Sequence, residues 1–445
     1  MQLSRHIGKA VWSTAGKLLY VALGIAFLLP RKVIGPESWG VYAVTQALLT
    51  SVFTLSDSFA LQAMVNFGME ESRRKEAYSV AALLHLAFVV ICTAAVYLGR
   101  TALAAFFDEP ALLATLDIFP FFALGFLLRN FFLKVAQLHI DTRATFIIDF
   151  VWVGGTLALI VHGWLTGTLV TARDMIVIMA LSSGASSLMG LALFGRKVRF
   201  TTGIDGSYAI RMVRFGIAQL GSAVTLVLQT QGDALILKAF VSSAVVGNYD
   251  AAKSFFRGFE AIRDAGALFV YPAVAKLAVE RRRAELVLLL EKMIGFMLIV
   301  VTPVVIAVWV GPTDYIFDLI YKGKFGEAAT IFKILSLAAL AIPFSMNTHV
   351  LGGLGQARRY FRVTLAAALL SVLASLVLVP WIGARGTAIA MIVSFVALGV
   401  LATRAVRQSV PFSLRSAFGR WRDALNFVLK LWHRVAMRSG GRRGE

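Results

Sequence analysis

The sequence predicts an all-α integral membrane protein with about twelve transmembrane helices in two pseudo-symmetric six-helix bundles, a hydrocarbon core about 30 Å thick taking roughly 20 apolar residues per helix. Three observations predict it. The 445 residues are 58% hydrophobic, only 15% charged, and have a mean hydropathy of +0.78, far too apolar for a soluble chain of this length. Apolar segments of spanning length follow one another with no soluble domain between them. The chain also repeats itself 207 positions on: Gly40-x-Tyr42 followed by Asp57-x-x-Ala60-Leu61 returns as Gly247-x-Tyr249 followed by Asp264-x-x-Ala267-Leu268. A duplicated membrane unit with a carboxylate in each copy is the mark of a transporter whose two bundles move against each other.

The spans read in order as 10 to 30, 39 to 61, 78 to 98, 112 to 133, 145 to 165, 174 to 195, 214 to 237, 246 to 272, 288 to 310, 329 to 350, 362 to 380 and 386 to 405. The first follows a basic start, Arg5 and Lys9, as a signal peptide does, but its apolar run is long and no small-residue cleavage site follows, so it is kept as a helix. The basic connection at 196 to 213 divides two sets of six spans, 1 to 200 and 201 to 410. Leu138 to Arg143 after span four and Leu354 to Arg359 after span ten echo each other, as do Trp164 and Trp381. With six spans per half both copies enter from the same side, which makes this a parallel repeat about the membrane normal.

The net charge of +20 raises nucleic acid as a partner, and the distribution of the basic residues excludes it. Roughly 30 Lys and Arg fall at the N-terminus, in the even-numbered loops and in the C-terminal segment, against roughly 8 in the odd-numbered loops, as the positive-inside rule requires. Both termini are therefore expected in the cytoplasm. Clusters such as Arg73-Arg74-Lys75, Arg281-Arg282-Arg283 and Arg358-Arg359 are topology signals, with contacts to anionic membrane lipids as a second role. Residues 411 to 438 place Leu414, Phe418, Trp421, Leu425, Val428, Trp432 and Val435 on one face of a basic helix, suited to lying on the inner leaflet or to docking on the protein's own loops. Residues 439 to 445 read as a disordered tail.

The single cysteine, Cys92, excludes an intramolecular disulfide framework, and His85, His162 and His349 read as packing or interfacial residues. No phosphate-binding glycine loop, nucleophile elbow or paired histidines are present, so the chain is not expected to be an enzyme or to hold a cofactor. Any energy would come from an H+ or Na+ gradient or the membrane potential.

The densest polar signal is in span eight, where Asp250, Lys253, Arg257, Glu260 and Asp264 recur at steps of 3, 4, 3 and 4. Charges deep in hydrocarbon cost several kcal/mol each, so this stripe is expected to face protein or a wet cavity. A self-neutralising ladder, Asp250 with Lys253 and Arg257 with Glu260, is the packing alternative. The matching positions of span two are Ala43, Gln46, Thr50, Phe53 and Asp57, so only the last carboxylate is shared and the basic groups belong to the second copy. Lys253 and Arg257 suit an anionic substrate, because a guanidinium binds phosphate oxygens bidentately. Lys17, Arg129, Asp149, Asp233 and Lys333 are further intramembrane candidates, Asp233 as an ion-coupling group or an ion-pair partner; Lys134 is expected to snorkel to the interface.

Ile34 to Tyr42, Gln231 to Tyr249, Tyr271-Pro272-Ala273 and Trp381 to Ala390, in that order, resemble the polysaccharide-transporter branch of the multidrug/oligosaccharidyl-lipid/polysaccharide exporter superfamily, which includes the O-antigen and exopolysaccharide repeat-unit flippases. The sequence departs from that pattern at Ser58, where a Gly is common. The resemblance implies the exporter fold in a monomer of the bacterial inner membrane, opening alternately to cytoplasm and periplasm. The implied cargo is an oligosaccharide on a polyprenyl pyrophosphate, whose phosphates would meet Arg257, Lys253 and, as further candidates, Arg129 and Lys17, with polysaccharide assembly machinery as a neighbour. Competing readings are a peptidoglycan- or teichoic-precursor flippase, a multidrug exporter of the same superfamily and, in a different class, a membrane polysaccharide polymerase or ligase. The longest external loop, Gly311 to Ala328, is short for the last of these.

Overall fold

The computed structural model describes the backbone of residues 2–420, 422 and 423, and side chains from residue 11. Among these the protein is helical throughout: α1 (Gln2–Ala26), α2 (Leu28–Ser56), α3 (Arg74–Leu98), α4 (Phe119–Leu138), α5 (Thr142–Thr166), α6 (Ala172–Phe194), α7 (Gly206–Thr230), α8 (Gly232–Phe240), α9 (Ser243–Val279), α10 (Arg283–Val310), α11 (Thr313–Tyr321), α12 (Ala328–Ala338), α13 (Ala357–Ser409) and α14 (Leu414–Gly419). In a lipid core the backbone is satisfied within helices or within a closed barrel, and the long apolar runs of this chain take the first form.

Nine of the described helical runs are long and apolar enough to cross a membrane. The 53-residue α13 is two spans, since Ile382 and Gly383 leave helical geometry and a β-carbon on Gly386 would meet the Leu378 carbonyl at 2.6 Å, so the chain turns back on itself. α1 is a shorter apolar helix, and α9 has spanning length but carries the charged stripe. Counting these three restores the expected twelve. Exposed apolar side chains such as Leu98, Leu188, Phe269, Val310 and Trp381 form the lipid-facing surface.

Packing gathers the chain into two compact units, Met1–Asp250 with Phe317–Glu327, and Ala251–Ile316 with Ala328–Glu445. The division expected at residue 200 is thus not the packing division: α7, α8 and the start of α9 pack with the first-half helices. Backbone proximity explains this, a β-carbon on Gly216 of α7 falling 2.0 Å from the Phe59 carbonyl. In the first unit α6 meets α4 and α5 through small residues, with Ser187 donating to the Gly125 carbonyl of α4 at 2.8 Å and Ser186 to the Ile148 carbonyl of α5 at 2.7 Å. Its core includes Leu61, Tyr78, Phe131, Ile148, Phe194 and Met212. The second unit packs Val274, Leu290, Ile294, Met346, Val406 and Phe412.

The echo after spans four and ten is a shared corner. Ile140 and Gly355 take positive φ, and the next residues, Asp141 and Gln356, stand at the caps of α5 and α13. The start of the predicted amphipathic segment is α14, capped by Ser413 and seated on α10, where Ala417 is buried and Arg420 pairs with Glu291 at 3.3 Å. The described part therefore docks on the protein itself; its continuation to 438 and the tail at 439 to 445 lie outside the described residues.

Candidate functional site

α9 is spanning in length, and its stripe divides by environment. Asp250, one-fifth exposed, accepts from Arg31 at 2.9 Å and from the Trp39 indole at 2.8 Å, and the Arg31 guanidinium lies 4.4 Å over the Trp39 ring. Asp250 is thus held by the first-half helix α2. Lys253 and Glu260 are half-buried, whereas Arg257 and Asp264 are exposed; Asp264 pairs with its neighbour Arg263 at 3.1 Å.

The other candidates are spread across the first unit. Arg129, 5% exposed, pairs with Asp149, and the Tyr20 hydroxyl donates to the same carboxylate at 3.0 Å, tying α1, α4 and α5 together. The guanidinium also lies 4.3 Å over the Trp152 ring. Arg129 is therefore placed inside helix packing. Lys17 is exposed on α1 and has no ion-pair partner among the described residues. Asp233 opens α8 and accepts from the Tyr249 hydroxyl at 2.6 Å, so the repeated Gly-x-Tyr element orients it in the second copy.

Asp57 begins a π-helical turn, Asp57–Leu61, at the point where Ser58 departs from the family pattern. Lys134 meets Asp57 at 3.0 Å and Gln62 at 3.3 Å, so its ammonium is paired with a carboxylate of another element. His85 bonds to Ser56 at 2.7 Å and to the Leu127 carbonyl at 3.1 Å, a buried packing role. A carbonyl only accepts, so Nε2 carries the proton and Nδ1 receives the Ser56 hydroxyl. Lys333, near the end of its span, pairs with Asp314. Outside the spans, burial and then the Arg74 and Lys197 cations hold His139 below the usual imidazole range, with Asp141 opposing; its ring bonds to the Tyr78 hydroxyl at 2.9 Å.

Three charges, two of them buried, escaped sequence reasoning because they lie where loops were expected. Arg31 is 1% exposed, and Lys238, 2% exposed, pairs with Glu109 at 3.2 Å. Arg31 and Lys238 are also 207 positions apart, a signal that the repeat carried.

The model of the polysaccharide biosynthesis protein family matches residues 29–330. Among solved structures the chain is similar to the lipid II flippase MurJ in an inward closed conformation, with 12% identity, a TM-score of 0.73, and 95% of this chain and 92% of that one covered. It is also similar to an inward-facing multidrug resistance MATE family transporter of the MOP superfamily, with 14% identity, a TM-score of 0.68 and coverage of 87% and 94%. A third is a MOP superfamily transporter from Pyrococcus furiosus, at 15% identity, a TM-score of 0.59 and coverage of 90% and 94%. No curated protein matches the sequence. At these identities the structures establish the fold, and the family model establishes the kinship: the chain belongs to the polysaccharide biosynthesis protein family.

Proposed function

We propose that this protein flips polyprenyl-pyrophosphate-linked oligosaccharide repeat units from the cytoplasmic to the periplasmic face of the bacterial inner membrane, by alternating access, for O-antigen or exopolysaccharide synthesis. The observation that carries the reading is the stripe of α9, with Arg257 exposed and Lys253 half-buried along a spanning helix of a polysaccharide biosynthesis protein. A pyrophosphate is the part of such a cargo that hydrocarbon excludes most strongly, and a guanidinium beside an ammonium replaces its lost hydration with charge-assisted hydrogen bonds. The sugars need a wet path, and the polyprenyl tail stays in the bilayer. The chain acts as a monomer and not as an enzyme, with both termini cytoplasmic, and draws any energy from an H+ or Na+ gradient or the membrane potential.

In a deletion strain, selective labelling should find the lipid-linked oligosaccharide collecting on the cytoplasmic face while surface polysaccharide is lost. Complementation by Arg257→Gln/Lys253→Gln, in membranes that contain normal amounts of the variant, should restore little. An intermediate that still reaches the outer face in the deletion strain would refute flipping and bring drug export or a later assembly step forward. Accumulation of a peptidoglycan precursor instead would change the cargo and keep the mechanism.

A further inference from the structure

The repeat brings its own equivalent residues into contact. Pro36 and Ser243, which open the regular helical parts of α2 and α9, are 207 positions apart, and so are Gly40 and Gly247 one turn later. A β-carbon on Gly40 would lie 1.8 Å from the Ser243 carbonyl oxygen, and one on Gly247 would lie 1.9 Å from that of Pro36. Each copy's glycine therefore seats the first carbonyl of the other copy's helix, the reciprocal pattern of a two-fold interface. Only glycine permits backbones this close, and the approach brings weak Cα–H···O contacts into play.

The second matched pair flanks the crossing. Lys238, from the second copy, reaches Glu109 in the connection between α3 and α4 of the first, and Ser243 donates to the same carboxylate. Arg31, from the first copy, reaches Asp250 of α9 and faces Tyr321, which ends α11 in the corresponding connection of the second. Each copy thus sends one buried cation across to the other. All these residues lie at the ends of the spans away from the basic loops.

We infer that the Gly40–Gly247 crossing and the Arg31 and Lys238 pairs form one clasp that closes the extracytoplasmic end of the translocation path and must open for cargo to leave. The inference rests on the flippase reading, which gives the path its direction. The clasp suits a polar cargo. Its buried charges can separate only if water enters to solvate them, so opening and wetting of the path occur together. Its reciprocity also makes it open as a unit, because lifting either glycine from its seat displaces the helix that carries the other.

The test uses the full chain with Cys92→Ala, which removes the one native cysteine, and Gln46→Cys, placed on α2 below the crossing. Gly40→Ala/Gly247→Ala should raise labelling of that cysteine by an external, membrane-impermeant maleimide about tenfold, as a shift of the closed population requires. Separately, Cys92→Ala with Glu109→Cys/Lys238→Cys, bridged by a short reversible bis-methanethiosulfonate, should lose about tenfold in flipping of lipid-linked oligosaccharide and recover on reduction. The bridging arm keeps both glycines and so covers a glycine variant that fails to insert. Unchanged labelling in an inserted variant, or unchanged flipping after complete bridging, overturns the clasp. If labelling rises as expected while the reduced, unbridged protein and the parent flip nothing, the clasp stands and the flippase reading falls.

Discussion

Replacing Asp149 by Ala while Arg129 stays in place leaves a guanidinium stranded among α1, α4 and α5. The two side chains are 6% and 8% exposed, so solvent screens the pair little. Removing one partner of such a pair costs about 3–5 kcal/mol, because the remaining charge keeps its desolvation penalty and loses its counter-ion. The Tyr20 hydroxyl loses its acceptor as well, adding about 1 kcal/mol. The Trp152 face 4.3 Å from the guanidinium carbon is present in parent and variant alike and so offsets none of this. Asp149→Ala should therefore lose about 4–6 kcal/mol of stability, measured by denaturant unfolding in mixed micelles. Arg129→Leu/Asp149→Leu should recover most of the loss, since a buried pair replaced by apolar side chains is close to neutral. A double variant as unstable as the single one, or a single variant within about 0.5 kcal/mol of the parent, would refute the reasoning.

The remaining predictions concern transport, pH and the C-terminal segment. Arg257→Gln/Lys253→Gln should reduce oligosaccharide flipping about tenfold or more at equal protein in the membrane, whereas Lys333→Gln, whose partner is Asp314 at the end of its span, should change it little. His139 is held below its usual pKa, so its neutral form is favoured by folding; the stability it confers is complete above the ordinary imidazole pKa and is lost as pH falls below it. Melting curves taken between pH 7.5 and 5.5 should therefore show a downward slope that His139→Gln removes, and an equal slope in both proteins would discard the assignment. Glu291→Gln should weaken the seat of α14 on α10, because the carboxylate is 8% exposed and accepts from Arg420; limited trypsin digestion should then cut after Arg415 or Arg420 faster than in the parent.

Most of the spans were legible because long apolar runs in lipid satisfy their backbone as helices, so a sum over local hydropathy finds them; the ends were not, as Gly206–Thr230 against the expected 214 to 237 shows. The charged stripe of α9 was legible for the same reason, its steps of 3 and 4 fixing one face whatever surrounds it. Lys134 shows where this reading stops. Its place in the span gave its depth, and the fold alone shows that it meets Asp57 on a different element. Depth is one coordinate, and partner choice needs the other two.

The sequence by itself determined that this is a polytopic helical membrane protein with a 207-residue repeat, basic residues concentrated in alternate connections, and a cationic second copy. These are properties of composition and period, which each segment carries alone. Tertiary structure decided that Arg129 belongs to packing while Arg257 is exposed, that α7 and α8 join the first unit, and that Arg31 meets Asp250 across 219 positions. Such pairings depend on which helices lie side by side, and lipid-facing and protein-facing apolar surfaces read alike in a chain whose solvent is hydrocarbon.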